Sequence, residues 1–168
     1  MDIRNNFDVP ILVLVFKREE TLRKVLESLK LIKPINLYIS CDGANKGNKS
    51  EVIKVEATRK LIKQFIDWEC NLKIRLSDNN KGCKIGATSG IDWFFNQVNE
   101  GIILEDDTVP HIDFFNYCSN LLEKYRNDER IWSITGTNFN EKKIKVDYSY
   151  SFSKYPSLWG WATWKRVW

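Results

Sequence analysis

Five short apolar runs recur along the 168-residue chain: PILVLVF at 10–16, INLYISC at 35–41, NLKIRLS at 71–77, GIILE at 101–105 and IWSITG at 131–136. Each has the length of a strand, and the segments between them carry apolar residues at helical spacing. Thr21, Leu22, Val25, Leu26 and Leu29 define one face of a first helix, and Val52, Val55, Ile62, Phe65 and Ile66 one face of a second. A third helix is expected from about Ile85 to Val98, and Phe114, Phe115, Cys118, Leu121, Leu122 and Tyr125 mark a fourth. Strands apolar on both faces, alternating with helices, predict an α/β fold with a mostly parallel sheet, right-handed crossovers and helices on both faces. In such a sheet, ligands bind beyond the carboxyl ends of the strands.

Those ends have a distinctive chemistry. The first run ends at Phe16, Lys17 and Arg18, the second at Asp42 and Gly43, and the third at Asp78, Asn79, Asn80, Lys81 and Gly82. The fourth ends in three consecutive carboxylates, Glu105, Asp106 and Asp107, so one rim carries both cations and acids. No turn carries G-x-G-x-x-G or G-x-x-x-x-G-K, which excludes the glycine-rich phosphate cradles of dinucleotide enzymes and P-loop proteins. Adjacent carboxylates repel one another and resist burial, so they call for a hard cation or for arginines. In extended chain Glu105 and Asp107 point the same way while Asp106 faces elsewhere. Two or three carboxylate oxygens suit Mg²⁺ or Mn²⁺, which complete their shells with water and substrate phosphates; the implied ligand is a metal-chelated diphosphate. The alternative is a solvated acidic turn that favours the amino terminus of the helix beginning near Pro110. Lys17 and Arg18 can offset phosphate charge, and Asp42 can accept a hydrogen bond from a base or ribose, although Asp-Gly is also ordinary turn chemistry.

The remaining composition narrows the class. With 43% apolar and 29% charged residues, 8 Gly and 4 Pro, the whole chain is expected to fold, as one domain or part of one. The 26 basic and 22 acidic residues nearly balance, and cations such as Lys54, Arg59, Lys60 and Lys63 are scattered over helix faces. That reads as solvated surface and predicts no nucleic-acid partner. ILVLVF is far too short to cross a bilayer, so a soluble cytoplasmic protein is expected, with peripheral membrane contact left open. Cys41, Cys70, Cys83 and Cys118 lack C-x-x-C spacing and a nearby histidine cluster, and are expected to be reduced, mostly buried thiols. The single histidine, His111, is expected to start a helix.

Taken in order, PILVLVFKR, ISCDGA, NNKGCKIGATSGIDWFF and ILEDDTVPHIDFF resemble the nucleotide-diphospho-sugar transferase fold called GT-A, a Rossmann-like architecture, with EDD as its DXD-type metal motif. The closer resemblance is to N-acetylglucosaminyltransferase I and related bacterial glycosyltransferases, through RIWSITGTNFN and YPSLWGWATWKRVW as well. It covers the chain from about Val9 to Trp168. The resemblance implies that Asp107 is the direct metal ligand, aided by Glu105, and that Glu105 and Asp106 lie near the ribose, donor sugar or metal-bound water. It further implies that Phe16 and Arg18 contact the nucleotide, that Asp42 meets the base, with uracil implied, and that Lys81 and Gly82 lie against the nucleoside. Mn²⁺ or Mg²⁺ is the implied cofactor, a nucleotide diphosphate sugar the donor, and a carbohydrate or glycoconjugate the acceptor.

Enzymes of this kind invert the anomeric centre in one displacement, with a carboxylate deprotonating the acceptor hydroxyl. The resemblance places that base after the tryptophan-rich stretch, where this chain ends. Residues 1–168 are therefore expected to be the donor-binding domain of a longer protein, truncated after Trp168, with most of the acceptor part missing. Trp161, Trp164 and Trp168 fall at helix-like spacing, and Trp159, Trp161 and Trp164 suit either packing or stacking on sugar rings. Asn138 suits either a ligand contact or a turn. Two other functions compete. A sugar nucleotidyltransferase would place a glycine-rich basic loop where FKREE stands, and a non-catalytic nucleotide-sugar or carbohydrate binding module would lack turnover.

Overall fold

The computed structural model describes residues 7–139 and 148–168. Asn140, which ends the NFN stretch quoted above, lies outside the described residues. Strand and helix alternate as the apolar pattern requires: β1 (Ile11–Val15), α1 (Glu19–Ile32), β2 (Asn36–Cys41), α2 (Lys49–Phe65), β3 (Asn71–Leu76), α3 (Gly82–Phe95), β4 (Glu100–Glu105) and α4 (Ile112–Lys124), then β5 (Ile134–Thr135) and β6 (Trp161–Trp164). They form one sheet of order β3-β2-β1-β4-β6-β5. The first four strands of that order run parallel, and β6 pairs antiparallel with both β4 and β5. The mostly parallel α/β sheet with helices on both faces is as the sequence predicts.

Period-two alternation sorts the strand residues between two cores. Ile11, Val13 and Val15 of β1 join Leu37, Ile39, Ile102 and Leu104 beneath α1, α2 and α4. Leu12, Tyr38 and Ile103 face the other way, onto Ile91, Phe94 and Phe95 of α3. Three helices thus cover one face and α3 the other, so α3 alone borders the second face of the strand ends.

Several local expectations are corrected. Val52 is 46% exposed, because α2 turns Glu51, Val55, Thr58, Leu61 and Ile62 inward and Ile66 only caps it. The third helix begins three residues early: Gly82 takes φ +76°, a left-handed conformation suited to glycine, and donates its N–H to Asn80 Oδ1 at 2.9 Å. The run at 131–136 keeps only a two-residue strand. Of the tryptophans at helix-like spacing, Trp161 and Trp164 belong instead to β6, where Trp164 is buried and donates to the Leu122 carbonyl at 3.2 Å, and Trp168 follows the turn after it. Cys83 is exposed and Cys70 half-buried; Cys41 and Cys118 are buried as expected. Arg59 is 17% exposed and not solvated: its guanidinium donates to the carbonyl of Ser77 at 2.7 Å, tying the end of β3 to α2. His111 does cap α4, accepting from the Asp113 N–H at 3.4 Å. Among the described residues no helix is long and apolar enough to cross a membrane.

Candidate functional site

Because β1, β2 and β4 are parallel neighbours, their carboxyl ends open side by side into a cavity of about 340 Å³. Phe16, Lys17 and Arg18 line it from the end of β1, and Asp42 and Asn45 from beyond β2. Asn80, Gly82, Cys83 and Gly86 enter from the start of α3, and Glu105 and Asp106 from the end of β4. The topology therefore gathers Phe16, Arg18, Asp42, Gly82, Glu105 and Asp106, which the sequence singles out. Lys81 and Asp107 do not line the cavity: Lys81 is tied to it through Asp42, and Asp107 through Arg18. The sequence marks Lys17 only as a cation able to offset phosphate charge, and it gives Asn45, Asn80, Cys83 and Gly86 no site role.

The three acids divide their work by burial. Asp106 is 1% exposed and accepts from the Phe16 N–H at 2.9 Å and from Arg18 Nε at 2.8 Å, so it ties the end of β4 to the end of β1. Arg18 reaches Asp107 with its other terminal nitrogen at 2.7 Å. Glu105 is exposed at the cavity mouth, and its carboxylate has no hydrogen-bond or ion-pair partner among the described residues. Its pKa is raised, first by burial of part of the carboxyl and then by the neighbouring charge of Asp107. The expected convergence of Glu105 and Asp107 is corrected: the strand ends at Glu105, Asp106 and Asp107 lie in a turn, Glu105 and Asp106 line the cavity, and Arg18 bridges Asp106 to Asp107.

Asp42 is similarly half committed. Its carboxylate accepts from the Gly43 N–H at 2.9 Å and from the Lys81 N–H at 3.0 and 3.1 Å, joining the end of β2 to the start of α3. A carboxylate offers about four lone-pair sites, so capacity remains on the cavity side. Gly43 permits the junction: a Cβ there would stand 2.6 Å from the Asn79 carbonyl carbon. Lys81 therefore enters the site through its backbone, and Gly82 through the turn it makes possible.

Charge decides what such a cavity accepts. Of the residues lining it, Lys17 and Arg18 stand against Asp42, Glu105 and Asp106, two cations against three carboxylates, a formal excess of one negative charge, and each cation is also paired outside the lining, Lys17 with Glu51 and Arg18 with Asp107. A bare diphosphate would meet net repulsion, whereas a divalent cation would be attracted and would carry the diphosphate with it. Among the described residues no three His, Cys, Asp or Glu side chains group as a metal cage. Glu105, unpaired among the described residues, and Asp107, one oxygen of which is tied to Arg18, are the carboxylates that could hold a hard cation, with the rest of its shell supplied by water and phosphate oxygens.

A second cavity of about 660 Å³ opens beyond the acidic run. Thr108 and Pro110 form one side, and Phe114, Thr137, Asn138 and Trp159 others. Thr137 Oγ1 donates to the Trp159 carbonyl at 3.0 Å, fastening the segment before β6 to the one after β5. Of the tryptophans, Trp164 packs in the core, Trp161 is half-buried, and Trp159 is 55% exposed at this cavity.

The profile of the GNT-I family matches residues 2–168. Among solved structures, one that matches is a cytidylyltransferase from Leptospira borgpetersenii serovar Hardjo-bovis (strain JB197), with a TM-score of 0.56 and 14% identity over 95% of this chain and 61% of that one. The chain thus spans about three fifths of that structure, and the likeness is one of fold. No curated protein matches.

Proposed function

The chain belongs to the GNT-I family, a glycosyltransferase family, and from that premise we propose that it binds a nucleotide diphosphate sugar together with a divalent cation and transfers the sugar to an acceptor hydroxyl. The observation that carries this reading is the negatively charged cavity at the joined ends of β1, β2 and β4, which suits a diphosphate only as its metal chelate. The donor is a UDP-sugar in this proposal, as the family resemblance implies, and the free capacity of Asp42 is an acceptor compatible with the imide N–H of uracil.

In the reaction, the bond between the anomeric carbon and the diphosphate oxygen breaks as the acceptor oxygen bonds to that carbon from the opposite side, with inversion. Asp107 and Glu105 would hold Mn²⁺ or Mg²⁺, which would supply Lewis-acid stabilisation to the departing diphosphate. Arg18 holds Asp107 in place and Asp106 holds Arg18, so the ligand is aimed before the donor arrives. Asp42 fixes the base, and the backbone of Lys81 and Gly82 closes over the nucleoside. The acceptor enters from the second cavity, whose Thr, Asn and aromatic lining suits a carbohydrate. The hydroxyl proton passes to a base that the family resemblance places after the tryptophan-rich stretch.

Thermal shift with UDP, GDP and CDP, each with and without Mn²⁺, on wild type and Asp107→Ala, tests the proposal. Stabilisation by one diphosphate that requires the metal and disappears in the variant supports it. No response to any nucleotide overturns it. The cytidylyltransferase likeness gives a second reading, nucleotidyl transfer, a specific prediction: release of pyrophosphate from a nucleoside triphosphate and a sugar phosphate.

A further inference from the structure

Glu51 stands in the first turn of α2, a place where a glutamate ordinarily faces water. Here its side chain is 5% exposed, outside the nucleotide cavity, yet both residues that donate to its carboxylate line that cavity. Lys17 Nζ donates to Oε1 at 2.5 Å, and the backbone N–H and side-chain Nδ2 of Asn45 each donate to Oε2 at 2.7 Å. The helix is capped independently, by Asn48 Oδ1 accepting from the Glu51 N–H at 3.1 Å. A buried carboxylate is costly unless well paired, and α2 gains its cap without this one. What the carboxylate adds is a link from the end of β1 to the loop after β2.

We propose that Glu51 is a positioning residue for the nucleotide: it holds the Lys17 ammonium at the cavity wall and turns the Asn45 side-chain carbonyl toward the ligand. The proposal rests on the nucleotide-binding reading above. An ionised carboxylate only accepts hydrogen bonds, so Asn45 must present its Nδ2 to Glu51 and keep its Oδ1 for another partner. That oxygen is an acceptor suited to a ribose hydroxyl or a base N–H. Lys17 has three donors and spends one on Glu51; it remains 40% exposed, with its Nζ 4.7 Å from the Phe16 ring centre. The pairing keeps Glu51 ionised, with its pKa pulled down to about 2, chiefly by the Lys17 hydrogen bond. Glu51 thus acts on the ligand through two neighbours and touches none of it.

Calorimetric titration of the whole chain with UDP and Mn²⁺ tests this, using wild type, Glu51→Gln, Lys17→Met, Asn45→Ala and the Glu51→Gln/Lys17→Met pair. Glu51→Gln is expected to bind on the order of tenfold more weakly, because glutamine can donate to Asn45 Oδ1 and no longer anchors the ammonium. The double variant is expected to lose less than the product of the two single losses, the mark of action through Lys17 that a merely structural residue would not show. Asn45→Ala, which leaves the Lys17 contact intact, is expected to bind more weakly as well, and it serves should Glu51→Gln fail to fold. Binding by Glu51→Gln equal to wild type, or by Asn45→Ala equal to wild type, overturns the positioning role alone, as do strictly multiplicative losses. Absence of binding by the wild type overturns it together with the functional reading.

Discussion

Arg18 meets Asp106 with two nitrogens, Nε at 2.8 Å and a terminal nitrogen at 2.6 Å from the same oxygen, and this contact locks the ends of two parallel strands together. Adjacent acids should therefore respond differently to removal. Asp106→Ala strips a buried acceptor from both Arg18 and the Phe16 N–H. We expect a loss of about 2–3 kcal/mol in urea unfolding, less than for a fully buried pair because Arg18 is half exposed. Asp107→Ala removes only a partly exposed ion pair, and its stability should change by less than about 1 kcal/mol. It should nonetheless abolish the metal-dependent response to nucleotide. Equal destabilisation by the two would contradict this division.

Gly86 lies within α3 where a Cβ would stand 3.1 Å from Asp42 Oδ2. Alanine would ordinarily favour the helix by about 0.5–1 kcal/mol. Here the added methyl also presses on the carboxylate assigned to the base and takes space from the cavity that Gly86 lines. Gly86→Ala should keep its unfolding midpoint within a few degrees of wild type while binding UDP with Mn²⁺ about tenfold more weakly, a difference of about 1.4 kcal/mol. Wild-type affinity in this variant would remove Gly86 from the base-binding wall.

The core of this architecture is legible in the sequence because β1, β2 and β4 are short apolar runs and α1 and α4 carry a clear helical apolar period, and the parallel order then forces the polar strand ends together. Asp42, Arg18 and Glu105 could be picked out for that reason. Strand β6 escaped, since Trp161 and Trp164 three apart mimic helical spacing and only pairing with β4 makes them a strand. Glu51 escaped too: a glutamate near a helix start reads as solvated, and only the packing of α2 against the β1 end reveals it as buried. Gly86 is likewise silent until α3 is laid beside Asp42.

The Glu51 carboxylate also gives an acid signature. Its pKa is lowered from 4.5 to about 2, first by Lys17 and then by the Asn45 N–H, so the folded state favours the ionised form more than the unfolded state does. A lowered carboxyl pKa contributes stability that is fully present above 4.5 and is lost as pH falls toward 2. Wild type should therefore melt higher than Glu51→Gln at pH 6, with the gap closing as pH is lowered through that window. A gap that stays constant from pH 6 to pH 2.5 would show that the two neighbours do not hold Glu51 ionised.

Cys83 offers a probe of the cavity that needs no turnover. It is exposed, one residue into α3, and lines the nucleotide cavity beside Gly82. Cys41 and Cys118 are buried, and burial pushes both thiols upward, Cys41 to about 12, so neither supplies thiolate at neutral pH. Cys70 is half-buried and shifted upward by the same cause. An aromatic disulfide reagent at pH 8 should therefore modify Cys83 first in the native chain, located by peptide mass. If the diphosphate occupies the space between Asp42 and Glu105, UDP with Mn²⁺ should slow that modification by about tenfold or more, whereas either alone should protect much less. Modification of Cys83 at an unchanged rate under conditions where thermal shift reports binding would place the nucleotide elsewhere on the molecule.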